Sequence, residues 1–212
     1  MPDQTSRKAS GTLRSDAREN RERILVAARE AYALHGIDVP MAAIARRAKV
    51  GVATLYRRFP TRAALVSEAF AEQLAHCVGV LHEGLADPDP WRGFCSVVED
   101  VCMMQATERG FTQAFLSQFP DHAEYAVERD RAEEGLALLI RRAKESGRLR
   151  PDFDLRDFTL LILANSGAIA GAGDDAPAAS RRLVGYLLQS FRAEAAAPLP
   201  PPAPLGLDRM SS

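Results

Sequence analysis

Apolar residues recur at helical spacing along most of the chain, and turn-forming residues divide this pattern into segments. Spacings of three and four residues are typical of amphipathic α-helices, and no stretch shows the strict alternation of a half-buried strand. The sequence therefore predicts an all-α fold of about nine helices. They are expected over residues 16–35, 40–48, 52–59, 61–85, 90–105, 111–119, 120–146, 155–172 and 175–191.

Local signals mark the ends of the first three helices. Asp16 and Glu19 form a pattern like a capping box, and Gly36 suits the left-handed position after a helix. Pro40 fits the first turn of the second helix, because its missing N–H would have had no helical partner there. Only residues 49–51 separate the second helix from the third. Two short helices joined by such a turn indicate a helix-turn-helix.

The chain is expected to have four parts. Residues 1–14 are polar and basic without periodicity, which predicts a disordered basic arm. Residues 15–65 form the helix-turn-helix domain, and residues 66–196 form a second helical domain. Residues 197–212 hold five of the thirteen prolines, which predicts an extended, disordered tail.

Charge is distributed unevenly along the 212 residues, although the net charge is only −1. Residues 1–65 hold 13 Lys and Arg against 6 Asp and Glu, a balance of +7, and the rest holds 14 against 22, a balance of −8. A basic first part and an acidic second part predict that only the first meets a polyanion.

Composition excludes several classes of protein. Hydrophobic residues make up 47% and charged residues 26%, as in ordinary globular domains. The longest uncharged run, residues 158–173, has 16 residues, too few for a membrane span of about 20. The first twenty residues contain no apolar run, and the three cysteines are widely spaced. We therefore expect no signal peptide, no membrane partner, no disulfide framework and a cytoplasmic location.

The third helix has the chemistry of a DNA-reading helix. Five residues in this region can pack inward, namely Ile44, Ala45, Val50, Leu55 and Phe59, which leaves Val52, Ala53, Thr54, Tyr56, Arg57 and Arg58 outward. Small residues let a helix backbone approach base edges, and hydroxyl and guanidinium groups donate to phosphates and bases. Double-stranded DNA is the predicted partner.

Thr54-Leu55-Tyr56-Arg57-Arg58-Phe59-Pro60, followed by Arg62 and Leu65, resembles the DNA-binding domain of TetR-family transcriptional regulators. The similarity covers residues 23–65. The later helix order and the segment Arg-Pro-Asp-Phe-Asp at residues 150–154 are similar to the SbtR-like branch of that family.

This resemblance implies roles for individual residues. Tyr56 and Arg62 would bind phosphates, Thr54 and Arg57 would touch bases or adjacent backbone, and Arg58 stands where the family often has a phosphate-binding His.

The chain departs from the family at Gly51, where Ser usually caps the helix, and at Lys49, where the turn often has Gly. Pro40 likewise lies where a Thr usually caps the second helix, and Lys49 would supply a replacement phosphate contact. The complete predicted DNA-binding set is Lys49, Gly51, Val52, Ala53, Thr54, Tyr56, Arg57, Arg58 and Arg62. Arg46 and Arg47 fit a DNA contact and a solvated face equally well.

The resemblance also implies that the second domain binds a small apolar effector. The candidate residues are Phe94, Val98, Cys102, Met103, Gln105, Phe111 and Phe115. An ordinary hydrophobic core explains the same cluster equally well. Cys95 and Cys102 lie two helical turns apart, about 10 Å, so they cannot form a disulfide with each other. Either these cysteines pack as small apolar side chains, or they sense redox changes.

Residues 155–172 form a nearly all-round apolar helix, which must be buried. Paired with the last helix and their symmetry mates, it would give a four-helix homodimer interface. The predicted interface residues are Leu160, Leu163, Gly167, Gly171, Leu183, Leu187 and Phe191.

The predicted function is therefore a homodimeric repressor that binds a near-palindromic operator and is released by its effector. An activator or dual regulator of the same fold is the alternative within this class. An all-α enzyme or metal-binding bundle is the alternative outside it, although the chain lacks zinc-protease and di-iron spacings, a phosphate loop and a nucleophile elbow. We expect no catalytic residue, no metal and no cofactor.

Overall fold

The computed structural model describes residues 5–36, 38–108, 111, 123–195 and 197–205, without the side chains of residues 5–17, 123–129 and 195. The described chain contains nine α-helices and no β-strand, which confirms the all-α prediction. The helices are α1 (Thr5–His35), α2 (Met41–Arg47), α3 (Val52–Arg58), α4 (Arg62–Ala69), α5 (Ala71–Ala86), α6 (Pro90–Thr107), α7 (Ala123–Glu145), α8 (Leu155–Ala170) and α9 (Ala176–Ser190).

The first helix is longer than its sequence pattern indicates. It begins at Thr5, so the predicted start at Asp16 is wrong, and residues 5–14 are helical where a disordered arm was expected. A helix can continue through residues that lack apolar periodicity, provided that no helix-breaking residue interrupts it. Residues 5–14 contain no proline, and the single glycine, Gly11, disfavours a helix by only about 1 kcal/mol.

The predicted helix over residues 61–85 is in fact two helices. The backbone leaves helical geometry at Phe70, where φ is −117° and ψ is 17°. The Phe70 side chain is buried, and its ring centroid lies 6.0 Å from that of Tyr32. We attribute the break to the burial of Phe70, which the spacing of apolar residues along the sequence does not reveal. The predicted helix over residues 111–119 lies outside the described residues except for Phe111.

The chain divides into two compact units after Ala71, six residues beyond the predicted domain boundary. In the first unit, α1 packs against α2 and α4. Its core contains Ile24, Tyr32, Ile44, Leu55, Phe59 and Leu65, each less than 2% exposed.

The second unit has a core built mainly from α6, α7, α8 and α9. Phe94 and Phe153 meet edge to face at its centre, with ring centroids 5.3 Å apart. Asp154 and Asp157 cap α8 with a reciprocal capping box. The buried Arg150 pairs with Asp152 and donates to the carbonyl of Ala197, which attaches the beginning of the predicted tail to this unit.

Among the described residues, no single helix is long and apolar enough to cross a membrane. The consecutive pair α4 and α5 passes that test only together, by length and composition.

Candidate nucleic-acid interface

The turn between α2 and α3 is fixed by backbone hydrogen bonds. The N–H of Val50 donates to the carbonyl of Ala45 over 3.0 Å, and that of Lys49 donates to Arg46 over 3.1 Å. These two bonds form a Schellman motif, whose central residue adopts the left-handed conformation. That residue is Lys49, with φ at +55°, where glycine is normally preferred. The backbone thus places a lysine at the tip of the turn.

Helix α3 has one buried side and one exposed side. Leu55 is fully buried and Phe59 is 1% exposed, so both hold the helix onto the core of the first unit. Tyr56 remains 47% exposed and Val52 43% exposed. Gly51, Ala53, Arg57 and Arg58 are also exposed, and Thr54 is half-buried. The predicted outward set therefore lies on one accessible surface, as the spacing indicated.

Neither α2 nor α3 has a side-chain cap at its beginning. Pro40 precedes α2 and Gly51 precedes α3, and neither position supplies a capping hydrogen bond. The amide groups of the first turn of α3 are therefore left to the backbone of Gly51 and to external acceptors. Thr61, in contrast, caps α4 by accepting from the Ala64 amide over 3.1 Å.

Positive charge concentrates around this exposed surface. Arg46, Lys49, Arg57 and Arg58 are all exposed, and none of them forms a salt bridge within the described chain. Arg47 differs, because its Nε donates to Glu30 over 2.8 Å. The four unpaired cations keep their charge available to an anionic partner, whereas Arg47 serves to join α2 to α1.

Contacts between α1 and the end of α4 brace the unit. Arg29 donates to the carbonyl of Ala69 over 3.2 Å, and Arg21 pairs with Glu68 over 2.7 Å. Burial raises the pKa of Tyr32 to about 12, so its hydroxyl stays neutral. The roles of Arg29 and Glu30 could not be predicted from the sequence, because their partners lie 40 and 17 residues away in the chain.

The predicted dimer residues fall into two groups. Leu160 is 50% exposed, Gly167 and Gly171 are exposed, and a Cβ added at either glycine would meet nothing within 4 Å. Leu160 and Gly167 of α8 and Gly171, the C-cap residue that follows it, form one open face, which we call the open face of α8. The other four predicted residues are half-buried, namely Leu163, Leu183, Leu187 and Phe191. Two of them, Leu187 and Phe191, pack against the core of their own unit.

The predicted effector residues occupy different environments. Phe94, Val98 and Cys102 are fully buried in the core of the second unit, and Phe111 is buried. Gln105 is buried and donates to Ser166 and to the carbonyl of Ile162. Among the described members of the set, only Met103 lines an open cleft between α5 and α6. Phe115 lies outside the described residues.

A buried polar cluster that the apolar spacing does not predict ties α6 to α8. The Asn165 amide donates to Gln105 over 2.8 Å and to the Cys102 carbonyl over 3.1 Å. Ser180 of α9 donates to the same carbonyl over 3.1 Å. Gln105 therefore holds the helices together, which explains why a polar residue tolerates burial there.

The cysteines are in apolar surroundings. Burial raises the pKa of Cys77, Cys95 and Cys102 to about 12 in each case. All three stay protonated at neutral pH, which favours apolar packing over redox sensing, because the thiolate is the reactive form. No group of metal-ligating side chains occurs among the described residues.

Comparison with known proteins gives family matches over both units. Residues 24–69 match the model of bacterial regulatory proteins of the tetR family, and residues 89–193 match the C-terminal domain model of SbtR-like transcriptional regulators. No curated protein sequence matches the chain.

Solved structures of similar fold cover most of the chain. A TetR transcriptional regulator from Streptomyces coelicolor is 26% identical, with a TM-score of 0.51 over 81% of this chain and 98% of that one. The regulator PfmR from Thermus thermophilus is 21% identical, with a TM-score of 0.58 over 77% of this chain and 95% of that one. FadR from Bacillus subtilis, solved with stearoyl-CoA, is 17% identical, with a TM-score of 0.54 over 79% and 97%.

Proposed function

This chain belongs to the TetR family of bacterial regulatory proteins, and we propose that it is a homodimeric repressor whose operator is released when a small-molecule effector binds. The observation that carries the proposal is the exposed side of α3. It presents Tyr56, Arg57 and Arg58 beside a turn whose tip is Lys49, while Leu55 and Phe59 anchor the helix from behind.

Each exposed group has a task in this proposal. An α-helix fits the major groove, which is about 12 Å wide. Thr54 and Arg57 touch base edges or the adjacent backbone, and the small Gly51, Val52 and Ala53 allow the helix to approach closely. Tyr56, Lys49, Arg58 and Arg62 contact phosphates, which fix the position of the helix on the duplex.

The open face of α8 supports the homodimer. Leu160, Gly167 and Gly171 lie together with no partner among the described residues of their own chain, and the two glycines leave room for a second helix at close range. We assign this face, with Leu163 and the neighbouring Leu183, Leu187 and Phe191, to a two-fold interface. Such a dimer holds two reading helices about 34 Å apart, so its operator is a near-palindrome.

The effector belongs to the second unit in this proposal. FadR of Bacillus subtilis, which shares the fold, binds stearoyl-CoA in its solved structure. Its identity of 17% carries the fold alone, so the chemistry of the effector must come from the residues of this chain.

Operator binding with a steep salt dependence is the direct test. Fragments of the source genome are incubated with the protein, bound fragments are sequenced, and affinity for the strongest fragment is measured at several salt concentrations. Three phosphate-binding cations in each subunit, Lys49, Arg58 and Arg62, give six in the dimer. At about 0.9 per contact, the logarithm of affinity should fall with a slope of about −5 against the logarithm of salt concentration.

Repression is tested separately by transcription from the selected fragment in a purified system. The proposal expects the protein to lower transcript yield. Binding without sequence preference and with a flat salt profile contradicts operator recognition, and a rise in transcript yield contradicts repression.

A further inference from the structure

Helices α5 and α6 touch at one end and separate toward the other. A Cβ added to Gly93 would lie 2.2 Å from the Gly84 carbonyl oxygen, so the two backbones are in direct contact there. Eight residues earlier in α5, about 12 Å along its axis, His76 lines a cleft of about 320 Å³ between the two helices. We call this space the α5–α6 cleft.

The α5–α6 cleft is negatively charged. Glu72 contributes a carboxylate from α5, Asp100 contributes one from α6, and Glu108 contributes a third directly after α6. None of the described residues that line the cleft is a lysine or arginine, and none of the three carboxylates forms a salt bridge in the described chain. An anionic occupant would therefore be repelled by the three carboxylates, whereas a cation would be attracted.

The cleft also has apolar surface and a buried acceptor. Met103 and Met104 line it, and their flexible thioether side chains adapt to apolar bodies of different shape. Gln73 lines it as well, and its side-chain Oε1 is buried without a hydrogen-bond partner. When the Gln73 amide turns toward the cleft, an occupant that brings an N–H or O–H donor would satisfy this acceptor.

We propose that the α5–α6 cleft binds a protonated amine carried on a compact apolar body. The ammonium group pairs with one of the three carboxylates and is attracted by the other two over a longer range, since Asp100 and Glu108 lie eight residues, or about 12 Å, apart along the axis of α6. It donates to Gln73, while the apolar body packs on the two methionines. This assignment names the chemical class of the effector, and only its regulatory consequence rests on the proposed function.

Three probes of one shape and different charge test the assignment. 1-Adamantylammonium, 1-adamantanol and 1-adamantanecarboxylate share the same apolar cage, and calorimetric titration into the whole protein without DNA measures each affinity. The ammonium probe should bind at least tenfold more tightly than the alcohol, and the carboxylate should not bind detectably. Equal affinities for the three probes, or no binding of the ammonium, would overturn the proposal.

Substitutions then locate the site. The triple variant Glu72→Gln, Asp100→Asn and Glu108→Gln should lose about tenfold in affinity for the ammonium and keep its affinity for the alcohol, since one exposed ion pair contributes roughly 1.5- to 5-fold. Gln73→Leu should weaken ammonium binding by about fivefold.

The matched control is Glu99→Gln, which removes an exposed carboxylate that does not line the cleft and should change the affinity by less than twofold. Unchanged ammonium affinity in the triple variant would overturn the assignment to this cleft. Because the titration contains no DNA, its failure is distinguishable from failure of operator binding, which is measured without any probe.

Discussion

Lys49 shows how one residue combines backbone strain with a proposed contact. Its φ of +55° is unfavourable for any side chain with a Cβ, yet the two hydrogen bonds of the Schellman motif hold it there. A glycine would relieve the strain but would remove a cation from the tip of the turn. The sequence therefore keeps a lysine at the expense of local stability, which fits a role in phosphate binding.

Lys49→Gly should accordingly stabilise the turn and weaken DNA binding. Relief of the left-handed strain should raise the free energy of opening of α2 and α3 by about 0.5–1 kcal/mol, measured by amide hydrogen exchange. Loss of two cations per dimer should make the salt slope of operator binding shallower by about 2. Lys49→Ala is the control, because it removes the charge and keeps the strain. Unchanged operator affinity in both variants would show that Lys49 does not reach a phosphate.

The exposed groups of α3 should affect DNA binding without affecting folding. Tyr56→Phe and Arg57→Ala leave no cavity, so the free energy of unfolding should change by less than about 0.5 kcal/mol. Each lost contact should weaken operator binding by about 1–3 kcal/mol, or roughly 5- to 150-fold, measured by fluorescence anisotropy. Arg141→Ala, an exposed arginine in the second unit, is the matched control. If Tyr56→Phe binds the operator as the unaltered protein does, its hydroxyl makes no phosphate contact.

At the scale of elements, periodicity predicted most of the helices because apolar spacing reflects burial directly. It also identified the outward side of α3, since Leu55 and Phe59 fix which side faces the core. It could not predict the break at Phe70 or the Arg29–Ala69 contact, because both depend on residues distant in sequence. The α5–α6 cleft was missed for the same reason, since its carboxylates belong to two helices whose separation the sequence does not reveal.

The crossing of α5 and α6 depends on the absence of side chains at two positions. A Cβ at Gly93 would lie 2.2 Å from the Gly84 carbonyl oxygen and 3.1 Å from its carbon, so the backbones would have to move apart. Gly93→Ala should therefore lower the free energy of unfolding by about 1–3 kcal/mol. The only tryptophan, Trp91, is buried two residues away, and its fluorescence reports unfolding in denaturant.

Gly79→Ala is the control for this prediction, because a Cβ at Gly79 of α5 meets nothing within 4 Å. That change should raise stability by about 0.5–1 kcal/mol through helix propensity alone. If both variants are equally stable, the close approach of the two helices does not constrain the second unit.

At the scale of the whole molecule, the proposed function requires two first units for operator recognition, and the proposed interface lies entirely in the second unit. One reading helix contacts only half of a near-palindrome. Since non-specific binding depends mainly on phosphate charge, it should survive loss of the dimer, whereas specific binding should not. A substitution that separates the subunits without unfolding them distinguishes these two contributions.

Gly167→Leu is such a substitution. Within one subunit the new side chain enters open space, and leucine favours a helix more than glycine by roughly 0.5–1 kcal/mol, so the subunit should remain folded. In the dimer the leucine fills the close approach of the two α8 helices, which costs about 1–3 kcal/mol per site and occurs on both sides of the two-fold axis. Sedimentation equilibrium should show a monomer, and specific operator binding should be lost while weak non-specific binding persists.

Gly79→Leu provides the matched comparison for the oligomeric state, because it adds the same side chain at another open helical glycine outside the proposed interface. It should sediment as a dimer and bind the operator as the unaltered protein does. Dissociation of this control as well would point to a general effect of the added apolar surface. A Gly167→Leu protein that stays dimeric and still binds its operator would mean that the subunits associate through a different face, and that the open face of α8 has another partner.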